Sequence, residues 1–417
     1  MWNKASFWLK FSFANLFIVA LLGLLMRYKI GFEFPHFDQK NLQLSHSNFA
    51  FVGWITHTLM VLMIVALMKK SANLKLDYFK KYNFILIANL LCAYGILISF
   101  IIMGYGMLSI VFTSLTVLVS VVFAYFYFKD LKSVCNEDLS KNWFKAALFF
   151  NIISSAGSFY LGYMMVTKHI LQNDYLASMY YYLHFQYNGW FFFACMGFLV
   201  SLLELKISEN RFFKRFFYLF FIACIPAYFL STLWLDLPVW IYILTALAAI
   251  VQVFAWFKFL VIVVKTKKQL INKFPTFLKY IFLFAGFALT VKFLLQLGST
   301  IPALSQLAFG FRPIVIAYLH LILLAVISLF LLFYIFGTGL IRLRSSIKIG
   351  LITFTIGVFL NELILGIQGA ASLSYTSIPY VNEMLFGAAI VLVAGSAIIF
   401  FGCFSAVSER EIDQLKL

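Results

Sequence analysis

Charge is scarce along this chain. Only 11% of its 417 residues are Asp, Glu, Lys or Arg, 64% are hydrophobic, and mean hydropathy is +0.97. A soluble domain carries roughly 25% charged and 45–50% apolar residues, so that class is excluded. Proline is sparse at seven residues. No Pro/Ser linker or low-complexity stretch divides the chain, which reads as one integral membrane domain over 1–417. The five cysteines, Cys92, Cys135, Cys195, Cys224 and Cys403, fall within apolar runs or on their inner side, leaving no outer-loop pair for a disulfide. Ten-residue runs of alternating polarity are missing, which argues against a β-barrel. Similarity between two halves is lacking too, which counts against transporter folds built from repeats.

Long apolar runs are what the chain does have. About twelve stretches approach or exceed the ~20 residues needed to cross a ~30 Å hydrocarbon core, near 7–27, 47–68, 83–103, 106–128, 144–166, 183–205, 216–234, 239–264, 277–297, 313–337, 349–368 and 384–404. The basic start and first apolar run, ending at Met26-Arg27, carry no small-residue cleavage site, so a retained first helix is expected. The Lys and Arg behind the net charge of +17 fall mostly in alternate loops, with exceptions such as Lys29, Lys40 and Lys168. Lys69, Lys70, Lys75, Lys80 and Lys81 follow the second run, Lys129, Lys132, Lys141 and Lys145 the fourth, and Lys206, Arg211, Lys214 and Arg215 the sixth. Lys265, Lys267, Lys268 and Lys273 follow the eighth, and Arg342, Arg344 and Lys348 the tenth. Basic residues gather in cytoplasmic loops, so this alternation predicts an all-α polytopic bundle of about twelve transmembrane helices with both termini inside. The basic balance is therefore topology, not a nucleic-acid footprint.

The histidines share the same asymmetry: none of His36, His46, His57, His169, His184 and His320 falls in a predicted cytoplasmic loop. His36 and His169 lie in outer loops and read as solvated. His46 and His57, eleven residues apart, are close to three full helical turns from one another, so they share nearly one face of the second span, roughly 16 Å apart. His184 opens the sixth span and His320 lies about 10 Å along the tenth from its outer end at Pro313. Singly, each reads as a buried histidine satisfied by a hydroxyl or carbonyl. Together they put an imidazole in the outer half of three spans, as a cofactor held between helices requires, and neutral imidazole nitrogen is a good axial donor to heme iron.

On these residues the chain resembles the heme-copper oxidase superfamily, specifically the catalytic subunit of oxidases and nitric oxide reductases. The resemblance runs over the whole length. His46-Ser47-Asn48 before an apolar run with Trp54 is similar to the His-x-Asn opening of the reductase branch, and His320 matches the second low-spin ligand. It implies heme b held by His46 and His320. The departures are as informative. The family's His-x-His in the tenth span has Tyr318 at its first position, the sixth span lacks the His-Pro-Glu-Val-Tyr order around His184, and the seventh holds no histidine. A three-histidine copper site cannot be built from this set, which argues against full oxygen reduction.

Membrane-buried charge is costly and marks function or pairing. Lys292 and Glu362 fall in outer halves of the ninth and eleventh spans, where they could pair with each other, or Lys292 and Arg312 could meet heme propionates. The expected cofactor-binding set is therefore His46, His320, His57, Arg312 and Lys292, with His46, His320 and His184 as candidate metal ligands and no catalytic residue assigned. The leading expectation is a heme b protein of the bacterial inner membrane, carrying electrons or binding a diatomic gas, an oxidoreductase of respiratory type if it is an enzyme. Its expected partners are the lipid bilayer and a respiratory electron-donor subunit or cytochrome. The rival is a heme-free twelve-span solute or proton-coupled transporter using the Lys292 and Glu362 pair and the outer histidines as substrate or proton sites.

Overall fold

The computed structural model describes residues 2–72, 76–203 and 209–404, and among these the chain is a helical bundle. Ten helices are long and apolar enough to cross a membrane. They are α1 (Trp2–Gly31), α2 (Gln39–Lys70), α3 (Tyr78–Met103), α4 (Met107–Ser133), α5 (Ser140–Thr167), α8 (Val239–Thr266), α9 (Thr276–Gly298), α10 (Arg312–Gly337), α11 (Ser345–Leu373) and α12 (Val381–Gly402). Two further helices correspond to the remaining apolar runs. The first, α6 (172–202), is continuous but is made less apolar by Gln186, Tyr187 and Asn188. The other, α7, consists of Asn210–Cys224 and Pro226–Thr232 bent by 43° at a break where Pro226 has no N–H to continue the ladder. Large apolar side chains such as Phe84, Leu91 and Phe287 are largely exposed, which suits a hydrocarbon solvent rather than water.

Local sequence sets the helix ends. Asp38 and Asp77 accept from the backbone N–H groups of Asn41 and Lys80, capping α2 and α3. Ion pairs then gather the basic loops: Lys4 meets Asp77, Lys70 lies 2.6 Å from Asp138, Lys81 2.5 Å from Asp130 and Lys267 2.8 Å from Glu209. These pairs tie the chain start to the α2–α3 loop, that loop to the end of α4 and the α4–α5 loop, and the segment before α7 to the end of α8. The end of the bundle that carries these lysine-rich loops is called below the basic end. Lys75 and Lys206, counted among the basic residues in sequence, lie outside the described residues.

The centre of the bundle is three helices with an unusual backbone. Each of α2, α6 and α10 contains a π-helical stretch, at Ala50–Thr56, Phe185–Phe191 and Leu321–Ser328. Such i→i+5 turns are rare, appear mostly as single widened turns, and are frequent at functional sites. Here they lie against one another. The Trp54 indole N–H donates to Ser328 Oγ at 2.9 Å, joining α2 to α10, and the Trp190 indole donates to Thr56 Oγ1 at 3.1 Å, joining α6 to α2. The Tyr187 and Tyr318 rings meet edge-on at 6.3 Å between α6 and α10. Ser328 also donates to the Leu323 carbonyl at 2.8 Å, satisfying an acceptor within the widened turn.

Packing around this hub is uneven along the helix axes. Residues 51–67 of α2, 184–200 of α6 and 325–336 of α10 are all buried. Beyond them, away from the basic end, Gln39–Phe49 buries only Leu42, Ser45 and Phe49, and Arg312–His320 buries no residue. The half of the hub nearer the basic end is thus a filled core, while its other half retains accessible surface.

Candidate heme site

His46 and His320 both stand in the open half. The His46 Nδ1 lies 3.1 Å from the Val19 carbonyl of α1, and the His320 Nδ1 lies 2.9 Å from the Ile316 carbonyl one turn back on its own helix. A carbonyl can only accept, so each Nδ1 must carry the proton, and the neutral ring keeps its lone pair on Nε2. Among the described residues neither Nε2 has a hydrogen-bond partner, and neither is sealed off from accessible space. Pinning one nitrogen to a carbonyl while freeing the other is how proteins orient imidazoles toward a metal. The two rings come within electrostatic reach of each other.

The neighbouring helix is shaped to the site. A Cβ placed on Gly23 of α1 would meet the His46 ring at 3.4 Å, so α1 supplies its smallest residue where the imidazole passes. One turn further, Arg27 lies within electrostatic reach of both His46 and His320. At the mouth, the Arg312 guanidinium donates to the Gln43 side-chain oxygen at 2.6 Å, tying the outer ends of α10 and α2 together. Sequence reading proposed Arg312 but passed over Arg27, whose only signal was a guanidinium closing an otherwise apolar first run. Two imidazole nitrogens and a nearby guanidinium are the donor types that an iron macrocycle with acidic edge groups would require. His46 and His320 would hold the iron, and Arg27 would face the acidic groups.

The other expected site residues are placed elsewhere. His57 does share the α1-facing side of α2 with His46, as the eleven-residue spacing predicts: His46 meets Val19, and His57 stacks obliquely on Trp8, eleven residues back along α1, at 5.9 Å. It is fully buried, however, with no hydrogen-bond partner on either nitrogen, inside the packed half. His184 has both nitrogens engaged, Nε2 donating to the Cys224 carbonyl at 2.9 Å and Nδ1 accepting from the Asn188 amide at 3.1 Å. Lys292 belongs with this second cluster, within electrostatic reach of His184 and Cys224, its ammonium 4.1 Å from the Phe293 ring. Glu362 contacts the Asn361 amide at 3.1 Å, and no Lys292–Glu362 ion pair forms. Among the described residues no three His, Cys, Asp or Glu side chains gather as a metal-binding group.

A feature that sequence reading missed lies between α2 and α6. Here Thr56, Asn89, Thr116, Asn151 and Gln186 line a cavity of about 30 Å³, and Asn89 Oδ1 and Asn151 Nδ2 have no partner. That volume and polarity suit roughly one water. Single polar residues scattered over five apolar runs gave no period by which to group them. Compared with known proteins, the chain matches no family model and no curated sequence.

Proposed function

We propose that this chain is a membrane heme b protein related to the large subunit of heme-copper oxidases and nitric oxide reductases, with twelve spans, both termini at the basic end and His46 and His320 as axial ligands. One observation carries the reading: two imidazoles on two hub helices each have Nδ1 fixed by a carbonyl and Nε2 free toward accessible space. Bound heme would supply a one-electron couple or a gas-binding iron. The protein's part is to orient both rings and set charge beside them through Arg27 and Arg312. His184, its lone pair spent on Asn188, is left to a structural role, and a copper centre has no histidine set on which to form. The natural setting is the inner membrane of a bacterium, beside a respiratory donor.

The test is a reduced-minus-oxidised spectrum of the purified chain with a pyridine hemochrome assay. A Soret band and a b-type hemochrome near one heme per chain are expected. Colourless, well-folded protein from cells supplied with heme would overturn the reading. The transporter reading would use a Lys292–Glu362 pair together with the outer histidines, and that pair does not form.

A further inference from the structure

At the end opposite the basic loops, α5 and the start of α6 leave a cleft of about 300 Å³ between them. Its floor is small because the helices nearly touch: a Cβ on Gly157 would lie 2.6 Å from the Ser178 carbonyl oxygen. Its walls are tyrosines. Tyr181 and Tyr228 meet edge to face at 5.2 Å, and Tyr228 is fixed by donating its hydroxyl to the Ala177 carbonyl at 3.1 Å. Tyr160 stands on the other side, stacked on Tyr163. One acid, Asp174, faces this cleft, and its only side-chain partner is the Tyr160 hydroxyl at 3.3 Å.

That carboxylate shares its lack of an ion pair with other described acids such as Glu33, Asp236 and Glu383, and is set apart by the tyrosines around it. The four ion pairs of the described residues occupy Asp77, Asp130, Asp138 and Glu209, all at the basic end, and none reaches Asp174. Aromatic faces around a single negative charge are the recognised arrangement for substituted ammonium ions, because ring quadrupoles attract a diffuse cation that is weakly hydrated. A hydrated metal ion would instead call for several oxygen ligands, and a neutral molecule would have no use for the acid. We propose that the α5–α6 cleft binds an alkylammonium cation, with Asp174 as counter-ion and Tyr160, Tyr181 and Tyr228 as its walls. The cleft lies near the helix ends, so the cation can arrive free in solution or as the headgroup of a membrane lipid.

The experiment uses the full chain in maltoside, which carries no amine. Radiolabelled choline is titrated by equilibrium dialysis, with 3,3-dimethyl-1-butanol as the neutral isostere. In parallel, nanodiscs of phosphatidylglycerol with or without phosphatidylcholine are assayed for retained lipid. Saturable choline binding that Asp174→Asn weakens at least tenfold, Tyr160→Leu weakens several-fold and Tyr160→Phe leaves within about twofold supports a soluble ligand. Asp174-dependent retention of phosphatidylcholine without choline binding supports the lipid source. Absence of both, equal competition by the neutral isostere, or binding unchanged in Asp174→Asn overturns the site. If Asp174→Asn does not elute as a monodisperse species, Tyr160→Leu carries the same test.

Discussion

The two histidine regions of this bundle use the same side chain in opposite tautomers. At His46 and His320 the proton sits on Nδ1, held by a carbonyl, and the lone pair of Nε2 is unspent. At His184 the proton sits on Nε2, held by the Cys224 carbonyl, and the Nδ1 lone pair is consumed by Asn188. The first pair is loosely surrounded, whereas His184 marks the point where α6 becomes wholly buried. Under the proposed function a ligand needs both an available nitrogen and open space beside it: His184 lacks the first, and His57, fully buried, lacks the second.

Replacing the histidines one by one is the strongest way to break that contrast. His320→Ala or His46→Ala should remove most heme absorbance from a protein that still inserts, while His184→Ala should keep it; the reverse result in the pyridine hemochrome assay would falsify the ligand assignment. Stability should move the other way. His184→Ala empties a filled site and strands the Asn188 amide and the Cys224 carbonyl, costing about 2–4 kcal/mol. His46→Ala, measured on heme-free protein, should cost about 1 kcal/mol, because its partner carbonyl belongs to an α-helix and is already bonded. Denaturation in mixed detergent followed by circular dichroism would compare them. Gly23→Leu sharpens the comparison without touching a ligand: the added side chain must displace the His46 ring, so heme occupancy should fall several-fold while His184 and its partners are undisturbed.

The smallest effect serves as a control at the basic end. The Lys4 ammonium hydrogen-bonded to Asp77 holds that carboxyl below its usual range. A depressed acid stabilises the fold above its unfolded pKa and loses that contribution as pH falls through the folded value, so acidification should weaken this contact. The pair is exposed, and Lys4→Ala should cost under about 1 kcal/mol, removing that acid dependence and leaving heme content unchanged.

Much of the scaffold was readable because membrane crossing imposes length and polarity on every helix. The ten apolar helices, and the Lys-rich loops that ion pairs now join, follow from that constraint. The shared face of His46 and His57 was legible from spacing, since both meet α1. Three things were not. Residue type does not reveal which imidazole nitrogen is bonded, so His184 looked equivalent to His320. A π turn depends on how a helix is packed, and Ala-Phe-Val-Gly-Trp-Ile-Thr reads as ordinary apolar helix. Long-range approaches such as Arg27 to His320, or the failure of Lys292 to reach Glu362, depend on helix order in three dimensions, which no single-sequence pattern encodes.

The filled half of the hub also bears on biogenesis. Its three helices are locked by indole-to-hydroxyl bonds and close-packed aromatic rings that involve neither His46 nor His320. Under the proposed function such a plinth would assemble during insertion before any porphyrin arrives, rather than folding around its guest. Cells starved of heme synthesis should therefore still accumulate the chain in their membranes, pale but competent, and acquire colour when the pigment is restored.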